Sequence, residues 1–338
     1  MILITGGAGF IGSNFIRFMR NKYPNYKIIN FDKLTYAGNL NNVSLMEDNP
    51  DYVFMKGDVA NQKDVKNVFE EFNPDYVIHF AAESHVDRSI LNPDVFLQTN
   101  IIGTQYLLNF SRLNNVKKFI FISTDEVYGS IDKDHCTEES PICPNNYYSV
   151  SKAAADNLVK VSYQTHGQRI NIVRCCNNYG QFQFPEKFIP LMISNAINNK
   201  DLPIYGDGNY FRDWLHVDDN CRAIDLVLHK GRIGEIYNVG GNNEWRNIDL
   251  AEYLLELIGK PKSLLSYIMD RPSHDYRYAV NFNKIRSELC WHPLIDFKIG
   301  IKQTVDWYLS HQDWLNEIIS GEYLKYYDLN YKNRDAQE

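Results

Sequence analysis

Two short stretches of this chain carry side chains that could do acid–base chemistry. Residues 119–129 begin as an apolar, β-favouring run and then present Thr124, Asp125 and Glu126. Such a run is typical of a strand buried on both faces, and open α/β sheets collect chemistry beyond the carboxyl ends of their strands. This stretch would therefore deliver a hydrogen-bond donor, an acid and a base to one place.

The second stretch opens a predicted helix with Tyr148 and Lys152. A spacing of four residues places both side chains on one helix face, one turn apart. A lysine ammonium near a phenol favours the phenolate and lowers its pKa. We therefore expect Tyr148 to be a usable base near neutral pH.

Each stretch by itself also has an ordinary structural explanation. An Asp-Glu pair after a strand is often a solvated turn. The chain has 23 tyrosines, so a tyrosine four residues before a lysine can arise by chance. The elements around the two stretches have to decide between these explanations.

A glycine-rich turn at the start of the chain supplies the first of those elements. Gly6, Gly9 and Gly12 follow an apolar strand and precede a helical pattern, which is the context of a dinucleotide-binding turn. The next strand ends in Asp32, twenty residues after Gly12, where a carboxylate can accept both ribose hydroxyls of adenosine. An acid there would repel the 2′-phosphate of NADP, so the sequence favours NAD.

The remaining pattern predicts the fold class. Strands are predicted at 1–5, 27–31, 53–55, 76–80, 119–122, 169–174 and 235–239, and helices at 62–72, about 94–113, from 148 onward, and 214–229 after a turn at Asp213. This alternation predicts an α/β protein with a doubly wound parallel sheet of the Rossmann type. After Gly180 the elements become short and mixed, which indicates a smaller mixed α/β substrate domain. The predicted cofactor domain is 1–178 plus about 213–240, and the predicted substrate domain is about 179–212 plus 241–338.

Composition and charge limit the classes of partner. A formal net charge of −7 over 338 residues gives no electrostatic reason to expect nucleic acid. The six cysteines have no zinc-ligand spacing, so we expect reduced thiols and no metal. No signal-peptide pattern and no membrane-length apolar run is present, so we expect a cytoplasmic protein without membrane association.

Read together, TGGAGFIG, Asp32, STDEVYG and YSVSK resemble the extended short-chain dehydrogenase/reductases. Further segments resemble the dTDP-glucose 4,6-dehydratase family in particular: FDKLTYAGNL from residue 31, AAESHVDRS from residue 81, NNYG from residue 177, FPEK from residue 184 and DRPSHD from residue 270. The resemblance runs from residue 1 to about 334. It implies an NAD-dependent hydro-lyase that converts dTDP-glucose to dTDP-4-keto-6-deoxyglucose and water.

The resemblance also implies roles for the five candidate catalytic residues. Tyr148 removes the proton of the sugar 4-hydroxyl while hydride leaves C4, Lys152 holds the nicotinamide ribose, and Thr124 hydrogen-bonds the same sugar oxygen. The new 4-ketone acidifies C5, Glu126 takes the C5 proton, and Asp125 protonates the C6 hydroxyl so that it leaves as water. Hydride then returns to C6, so the cofactor is regenerated within each cycle. The scheme needs Asp125 protonated and Glu126 ionised together.

Two binding sets are carried over from the family. The predicted cofactor-binding residues are Gly6, Gly9, Phe10, Ile11, Gly12, Asp32, Lys33, Leu34, Thr35, Asp58, Val59, Phe80, Ala81, Ala82, Ser84, Thr99, Tyr148, Lys152 and Asn178. The predicted substrate-binding residues are Ser84, Thr124, Asn177, Lys187, Phe188, Pro203, Ile204, Tyr205, Arg212, Asn247, Arg271, His274 and Tyr331. Arg212 and Arg271 suit a diphosphate because a guanidinium fork matches its oxygens.

The family is typically a homodimer, so the resemblance implies a four-helix interface built from helices around 94–113 and 147–166. The apolar residues Val95, Leu107, Leu108 and Phe110 fit that interface and fit packing on the sheet equally well.

Several alternatives stay open at this point. A nucleotide-sugar 4-epimerase or a UDP-glucuronate decarboxylase would share the Tyr–Lys pair, and the Asp125–Glu126 pair argues against both. A non-catalytic NAD-binding regulator would have no use for the full catalytic set. Spacing alone does not choose among dTDP, UDP and CDP. Tyr147 stands where the family commonly has proline, and the spacing to Lys152 selects Tyr148 as the base.

Overall fold

A seven-stranded parallel sheet dominates the computed structural model, which describes residues 1–319 and 321–332. Its strands, in chain order, are β1 Ile2–Thr5, β2 Ile28–Asp32, β3 Tyr52–Lys56, β4 Tyr76–His79, β5 Lys118–Thr124, β6 Ile170–Cys175 and β10 Ile236–Val239. The order across the sheet is β10-β6-β5-β4-β1-β2-β3, with every pair parallel. The predicted doubly wound fold class is confirmed.

Helices cover both faces of this sheet and continue into the second half of the chain. The α-helices are α1 Phe10–Lys22, α2 Gln62–Phe72, α3 Val86–Leu91, α4 Pro93–Phe96, α5 Gly103–Leu113, α6 Tyr147–His166, α7 Phe188–Ile197, α8 Val217–Lys230, α9 Asn247–Ile258, α10 Asn283–Leu289, α11 Phe297–Ser310, α12 Gln312–Ile318 and α13 Gly321–Tyr327. Short 3₁₀ turns span Leu40–Met46, Asp125–Tyr128 and Lys262–Leu264, and π-helical turns span Leu97–Ile102 and Asp328–Lys332.

The sheet is buried on both faces because its strands are mainly apolar. Every residue of β1 and of β5 is buried. The chain order reverses between β4 and β1, which are hydrogen-bonded neighbours. Ligands of open α/β sheets bind at such a switch point, outside the carboxyl ends of the strands. The topology therefore places the site beyond Thr5, His79 and Thr124.

Two sequence-based predictions of helices are corrected by the structure. The predicted helix at 94–113 is one helical run interrupted by a π-helical turn at Leu97–Ile102. Inside it the Asn100 side chain donates to the carbonyl oxygen of Glu83 and accepts from its N–H. The predicted helix at 214–229 begins only at Val217, because residues 211–216 form strand β9 and bury Asp213 within it.

A second core lies away from the large sheet. Three short strands, β7 Asn177–Tyr179, β9 Phe211–His216 and β11 Glu244–Arg246, form one small sheet, and β8 Leu202–Tyr205 pairs with β12 Leu265–Ile268. Apolar residues of α7, α9 and α11 pack together in this core. A separate core is what a two-domain chain would have, and the domain boundaries given above remain a proposal.

A helix that crosses a membrane must be both long and apolar. None of the helices within residues 1–319 and 321–332 is long and apolar enough to cross a bilayer.

Candidate active site

The glycine turn between β1 and α1 packs against the chain that follows β4. Gly6 has a φ of +70°, and a β-carbon there would lie 2.6 Å from the Ala81 nitrogen. A β-carbon on Gly12 would lie 2.3 Å from the Gly6 carbonyl oxygen. Only glycine allows this close approach of backbone, which leaves the first turn of α1 open towards the cavity beyond it.

Asp32 ends β2 at the rim of the same cavity. Its two carboxylate oxygens accept hydrogen bonds from the N–H groups of Ala8 (3.0 Å) and Leu34 (2.8 Å). Burial raises the pKa of Asp32, against the lowering effect of these two hydrogen bonds. Both oxygens keep further acceptor capacity, as two ribose hydroxyls would require. Lys33 and Asp58 form an ion pair of 2.7 Å beside it.

A main cavity of about 310 Å³ runs from the glycine turn to the end of β5. All the predicted cofactor-binding residues except Leu34 line it: Gly6, Gly9, Phe10, Ile11, Gly12, Asp32, Lys33, Thr35, Asp58, Val59, Phe80, Ala81, Ala82, Ser84, Thr99, Tyr148, Lys152 and Asn178. Leu34 lies outside the lining and contributes its backbone N–H to Asp32.

The five candidate catalytic residues meet at the far end of the main cavity. Thr124 ends β5, and its hydroxyl accepts from the Glu126 N–H and contacts Asp125 Oδ1, both at 3.3 Å. Asp125 is 3% exposed, and its Oδ2 has no hydrogen-bond partner among the described residues. Burial, and then the charges of Glu126 and Asp213, raise the pKa of Asp125 well above its usual value. This shift favours the protonated form of Asp125.

Tyr148 and Lys152 occupy the first turns of α6, as the four-residue spacing predicts. The Lys152 ammonium donates to the Ile122 carbonyl oxygen at 2.7 Å, and burial lowers its pKa to about 8. The expectation that Lys152 lowers the pKa of Tyr148 is wrong for this structure. Burial, and then the charge of Glu126, raise the pKa of Tyr148 well above its usual value, while a hydrogen bond with Thr124 opposes the shift.

A side cavity of about 130 Å³ opens next to the catalytic end of the main cavity. Of the predicted substrate-binding residues, it is lined by Ser84, Asn177, Lys187, Phe188, Pro203, Tyr205, Arg212, Asn247, Arg271, His274 and Tyr331. Thr124 lines the main cavity instead. Ile204 lines neither, because its side chain packs in the second hydrophobic core.

Several polar atoms around the side cavity are buried and lack a partner within the described part of the chain. They are Asn177 Oδ1, Asn247 Oδ1 and Arg271 Nε. A buried donor or acceptor without a partner is costly, so these atoms indicate a polar ligand. Arg212 differs, because its guanidinium donates to the carbonyl oxygens of Phe211 (2.7 Å) and Asp275 (2.9 Å).

Several residues that line these cavities were missed by sequence reasoning, and four of them have side chains with possible chemistry. Glu186 lines both cavities and pairs with Arg88 Nε at 2.7 Å. It lies inside the FPEK segment, and that position was the available signal. Tyr278 lines the side cavity without any sequence signal. Cys175 and Cys176 line the main cavity, and burial raises the pKa of Cys175 to about 12, which makes it a poor nucleophile.

The residues of the main cavity fit an NAD molecule. The glycine turn leaves backbone space for a pyrophosphate at the start of α1, and Asp32 stands where an adenosine ribose would lie. Asn178 Oδ1 is buried without a partner among the described residues at the catalytic end.

The parallel sheet, the glycine turn and the Tyr–Lys pair define an extended short-chain dehydrogenase/reductase that binds a nucleotide sugar. The model of the family described as GDP-mannose 4,6 dehydratase matches residues 3–304. The dTDP-glucose 4,6-dehydratase of Xanthomonas campestris is 46% identical, over 95% of this chain and 96% of that protein. The one from Escherichia coli is 44% identical, over 98% and 99%. This chain belongs to the dTDP-glucose 4,6-dehydratase family.

Solved structures agree with that assignment. The Bacillus anthracis dTDP-glucose 4,6-dehydratase in complex with NAD is 47% identical with a TM-score of 0.88, over 94% of this chain and 99% of that one. The Streptomyces venezuelae enzyme with NAD bound is 44% identical with a TM-score of 0.90, over 93% and 98%. The UDP-glucose 4-epimerase of Thermotoga maritima keeps the fold, with a TM-score of 0.86, at 29% identity over 92% and 99%.

Proposed function

We propose that this chain uses NAD to dehydrate dTDP-glucose to dTDP-4-keto-6-deoxyglucose and water. The observation that carries the proposal is the pair of neighbouring acids in unlike surroundings: Asp125 is buried, whereas Glu126 lines both cavities. An epimerase needs no acid for a C6 hydroxyl. The pair therefore favours elimination over the other reactions of this fold.

NAD bound in the main cavity would supply the acceptor for the hydride of sugar C4 and the donor that returns it to C6. Tyr148 takes the proton of the 4-hydroxyl, since the positive charge of an oxidised nicotinamide in the cavity would offset the burial that raises its pKa, and Thr124, which lines the same cavity, orients the same oxygen. Lys152 is anchored on the Ile122 carbonyl and binds the nicotinamide ribose.

Asp125 and Glu126 then carry out the elimination. The Glu126 carboxylate takes the C5 proton, which the neighbouring 4-ketone acidifies. Asp125 gives its proton to the C6 oxygen, which leaves as water. General acids and bases of this kind contribute roughly 10²–10⁴-fold each to a rate. Their adjacency on one 3₁₀ turn, Asp125–Tyr128, supports their acting on neighbouring carbons of one substrate.

The nucleotide diphosphate occupies the side cavity in this proposal. Arg271, with its unpartnered Nε, and Lys187 supply positive charge for the diphosphate. Asn177 and Ser84 line both cavities, and this supports a position for them beside the hexose, between the two ends of the site.

We also propose that the protein is a cytoplasmic homodimer. Leu107 and Leu108 are buried against the large sheet, so they do not contribute to an interface. Three valines are exposed on the helices of the predicted interface and support a contact there: Val95 on α4, and Val150 and Val161 on α6. Burial of such a stripe against a second copy would remove apolar surface from water.

A turnover assay tests the proposed reaction. Purified protein is incubated with dTDP-glucose, without added NAD, and the 4-keto-6-deoxy product is followed by its absorbance in alkali. Product without added cofactor supports dehydration with retained NAD. Turnover of UDP-glucose or CDP-glucose instead would uphold the proposed dehydration and change the nucleotide of the substrate. No product from any of the three, even with NAD added, would overturn the proposal.

A further inference from the structure

The hydroxyl of Tyr278 lies between two carboxylates. Its oxygen is 2.5 Å from Asp275 Oδ2 and 3.4 Å from Glu126 Oε2. Burial, and then the charge of Glu126, raise the pKa of Tyr278 well above its usual value, so the phenol keeps its single proton. One proton cannot be donated to both carboxylates, and the shorter distance places the hydrogen bond on Asp275.

Asp275 is itself held in place. It is buried, and its other oxygen accepts from the Asn145 side-chain amide at 2.6 Å. Arg212 donates to the Asp275 backbone carbonyl at 2.9 Å and lies 4.3 Å from the centre of the Tyr278 ring. The hydroxyl of Tyr278 therefore has a fixed direction, pointing away from Glu126.

We infer that Asp275 is a positioning residue for the elimination: it holds the Tyr278 proton, so that the phenol oxygen faces Glu126 with a free lone pair. This inference rests on the proposed function. When the C5–H bond breaks, its electron pair enters the enolate of the 4-ketone and the proton moves to a Glu126 oxygen. The phenol oxygen then accepts a hydrogen bond from that new O–H, while Tyr278 and Asp275 exchange no proton with the sugar.

The cations around Glu126 stabilise its ionised form, which is present before the C5 proton moves. Charged or titratable neighbours that interact with Glu126 are Asp125, Tyr148, Lys187, Arg212, Arg271 and Tyr278. The three cations among them attract ionised Glu126 and contribute nothing once it is protonated. An acceptor facing Glu126 stabilises the protonated form, and Asp275 makes Tyr278 that acceptor.

Asp275→Asn tests the inference. Asn145 and Tyr278 donate to different oxygens of Asp275, and the substitution replaces one of these oxygens with an NH₂ group, so one of the two contacts is lost. Loss of a hydrogen bond between neutral groups, here protonated Glu126 and the Tyr278 phenol, slows the affected step about twofold to tenfold. We expect kcat to fall by that factor with KM little changed, and the kinetic isotope effect of C5-deuterated dTDP-glucose to rise while that of C4-deuterated substrate does not. Asp48→Asn, at an exposed carboxylate that lines neither cavity, is the matched control.

A double-mutant cycle separates positioning from general disturbance of the fold. If Asp275 acts through Tyr278, Asp275→Asn costs little in a Tyr278→Phe background. Full additivity of the two substitutions, or a larger C4 isotope effect, would overturn the inference while wild-type turnover upholds the proposed function. If the wild-type protein is inactive on dTDP-glucose, both the inference about Asp275 and the proposed function are overturned. Should Asp275→Asn not fold, Asn145→Ala loosens the same carboxylate, and we expect a smaller rise in the C5 effect.

Discussion

Asp125 and Glu126 are neighbours in sequence, yet the fold gives them different surroundings. Asp125 is enclosed below the end of β5, while Glu126 reaches both cavities and the Tyr278 hydroxyl. Burial disfavours the charged form of a carboxyl group, so one turn of chain carries an acid beside a base.

Asp125→Asn provides a prediction about stability as well as activity. The unfolded chain ionises this carboxyl near pH 4, whereas the raised pKa keeps it protonated in the folded protein. Stability from this group is therefore lost as pH rises from about 4 towards the folded pKa. We expect the variant to melt about 2 °C above wild type at pH 8 and by a smaller margin at pH 5, with dehydration slowed about a hundredfold.

Thermal unfolding at the two pH values, with Asp48→Asn as control, checks this prediction. A difference in melting temperature that shrinks as pH rises would contradict it.

The two adjacent tyrosines of α6 give a second prediction at the residue scale. Tyr148 is buried in the main cavity, whereas Tyr147 is 53% exposed. We expect Tyr148→Phe to slow C4 oxidation about a hundredfold or more, because the base for the 4-hydroxyl is removed. Tyr147→Phe should leave the rate within about twofold. Single-turnover absorbance of reduced nicotinamide measures the rate of C4 oxidation in both variants. Equal losses of rate in the two variants would contradict the assignment of Tyr148 as the base.

Among the elements, the entry of α6 has the strictest local requirement, since two catalytic residues follow it within two turns. Asn146 caps the helix: its side chain accepts from the Ser149 N–H at 2.9 Å, and the Ser149 hydroxyl accepts from the Asn146 N–H at 3.1 Å. This reciprocal pair of hydrogen bonds fixes the start of α6 at Asn146. The next position, Tyr147 in this chain, is commonly proline in the family.

Asn146→Ala should cost about 1 kcal/mol of unfolding free energy, because the Ser149 N–H loses its side-chain acceptor, while the backbone N–H of residue 146 still donates to the Ser149 hydroxyl. A lower melting temperature, by about 2 °C, and a lower kcat are the expected results. Asn146→Ser keeps a side-chain acceptor and should restore most of both quantities. A variant Asn146→Ala that matches wild type in melting temperature would mean that packing, not the cap, fixes α6.

The strands of the large sheet could be predicted to within two residues because apolar runs and parallel burial leave a strong pattern. The short strands could not. Strand β7 has three residues and β8 contains Pro203, so neither shows a usable alternation. The π-helical turn within residues 97–102 comes from the Asn100 hydrogen bonds with Glu83, a tertiary contact that local propensity does not contain.

The site followed a similar division. Most residues of the sequence motifs line one of the two cavities, because the motifs carry their own turns and helix starts. Tyr278 was missed because its contacts are with Asp275 and Glu126, and Glu126 comes from a distant part of the chain. Ile204 lies outside both linings because alternation along β8 turns its side chain into the second core, and Leu34 lies outside them in the turn after β2, where its φ is +56°.

At the scale of the whole molecule, the proposed dimer makes a prediction about mass in solution. Val161 is 51% exposed on α6, and Ile299, on α11, is 59% exposed. A lysine introduced into the interface would bury a charge, so Val161→Lys should shift the protein from dimer to monomer in light scattering. Ile299→Lys should leave the mass unchanged. A wild-type monomer, or an unchanged mass for Val161→Lys, would contradict the proposed interface.

The two cavities share part of their lining, and this has a consequence for metabolism. Ser84, Glu126, Asn177, Glu186, Lys187, Phe188 and Trp214 border both. A sugar bound across them would share one chamber with the cofactor, and the hydride taken from C4 would return to C6 of the same molecule. The rate of product formation should therefore follow the supply of nucleotide sugar and stay insensitive to the surrounding ratio of NAD to NADH.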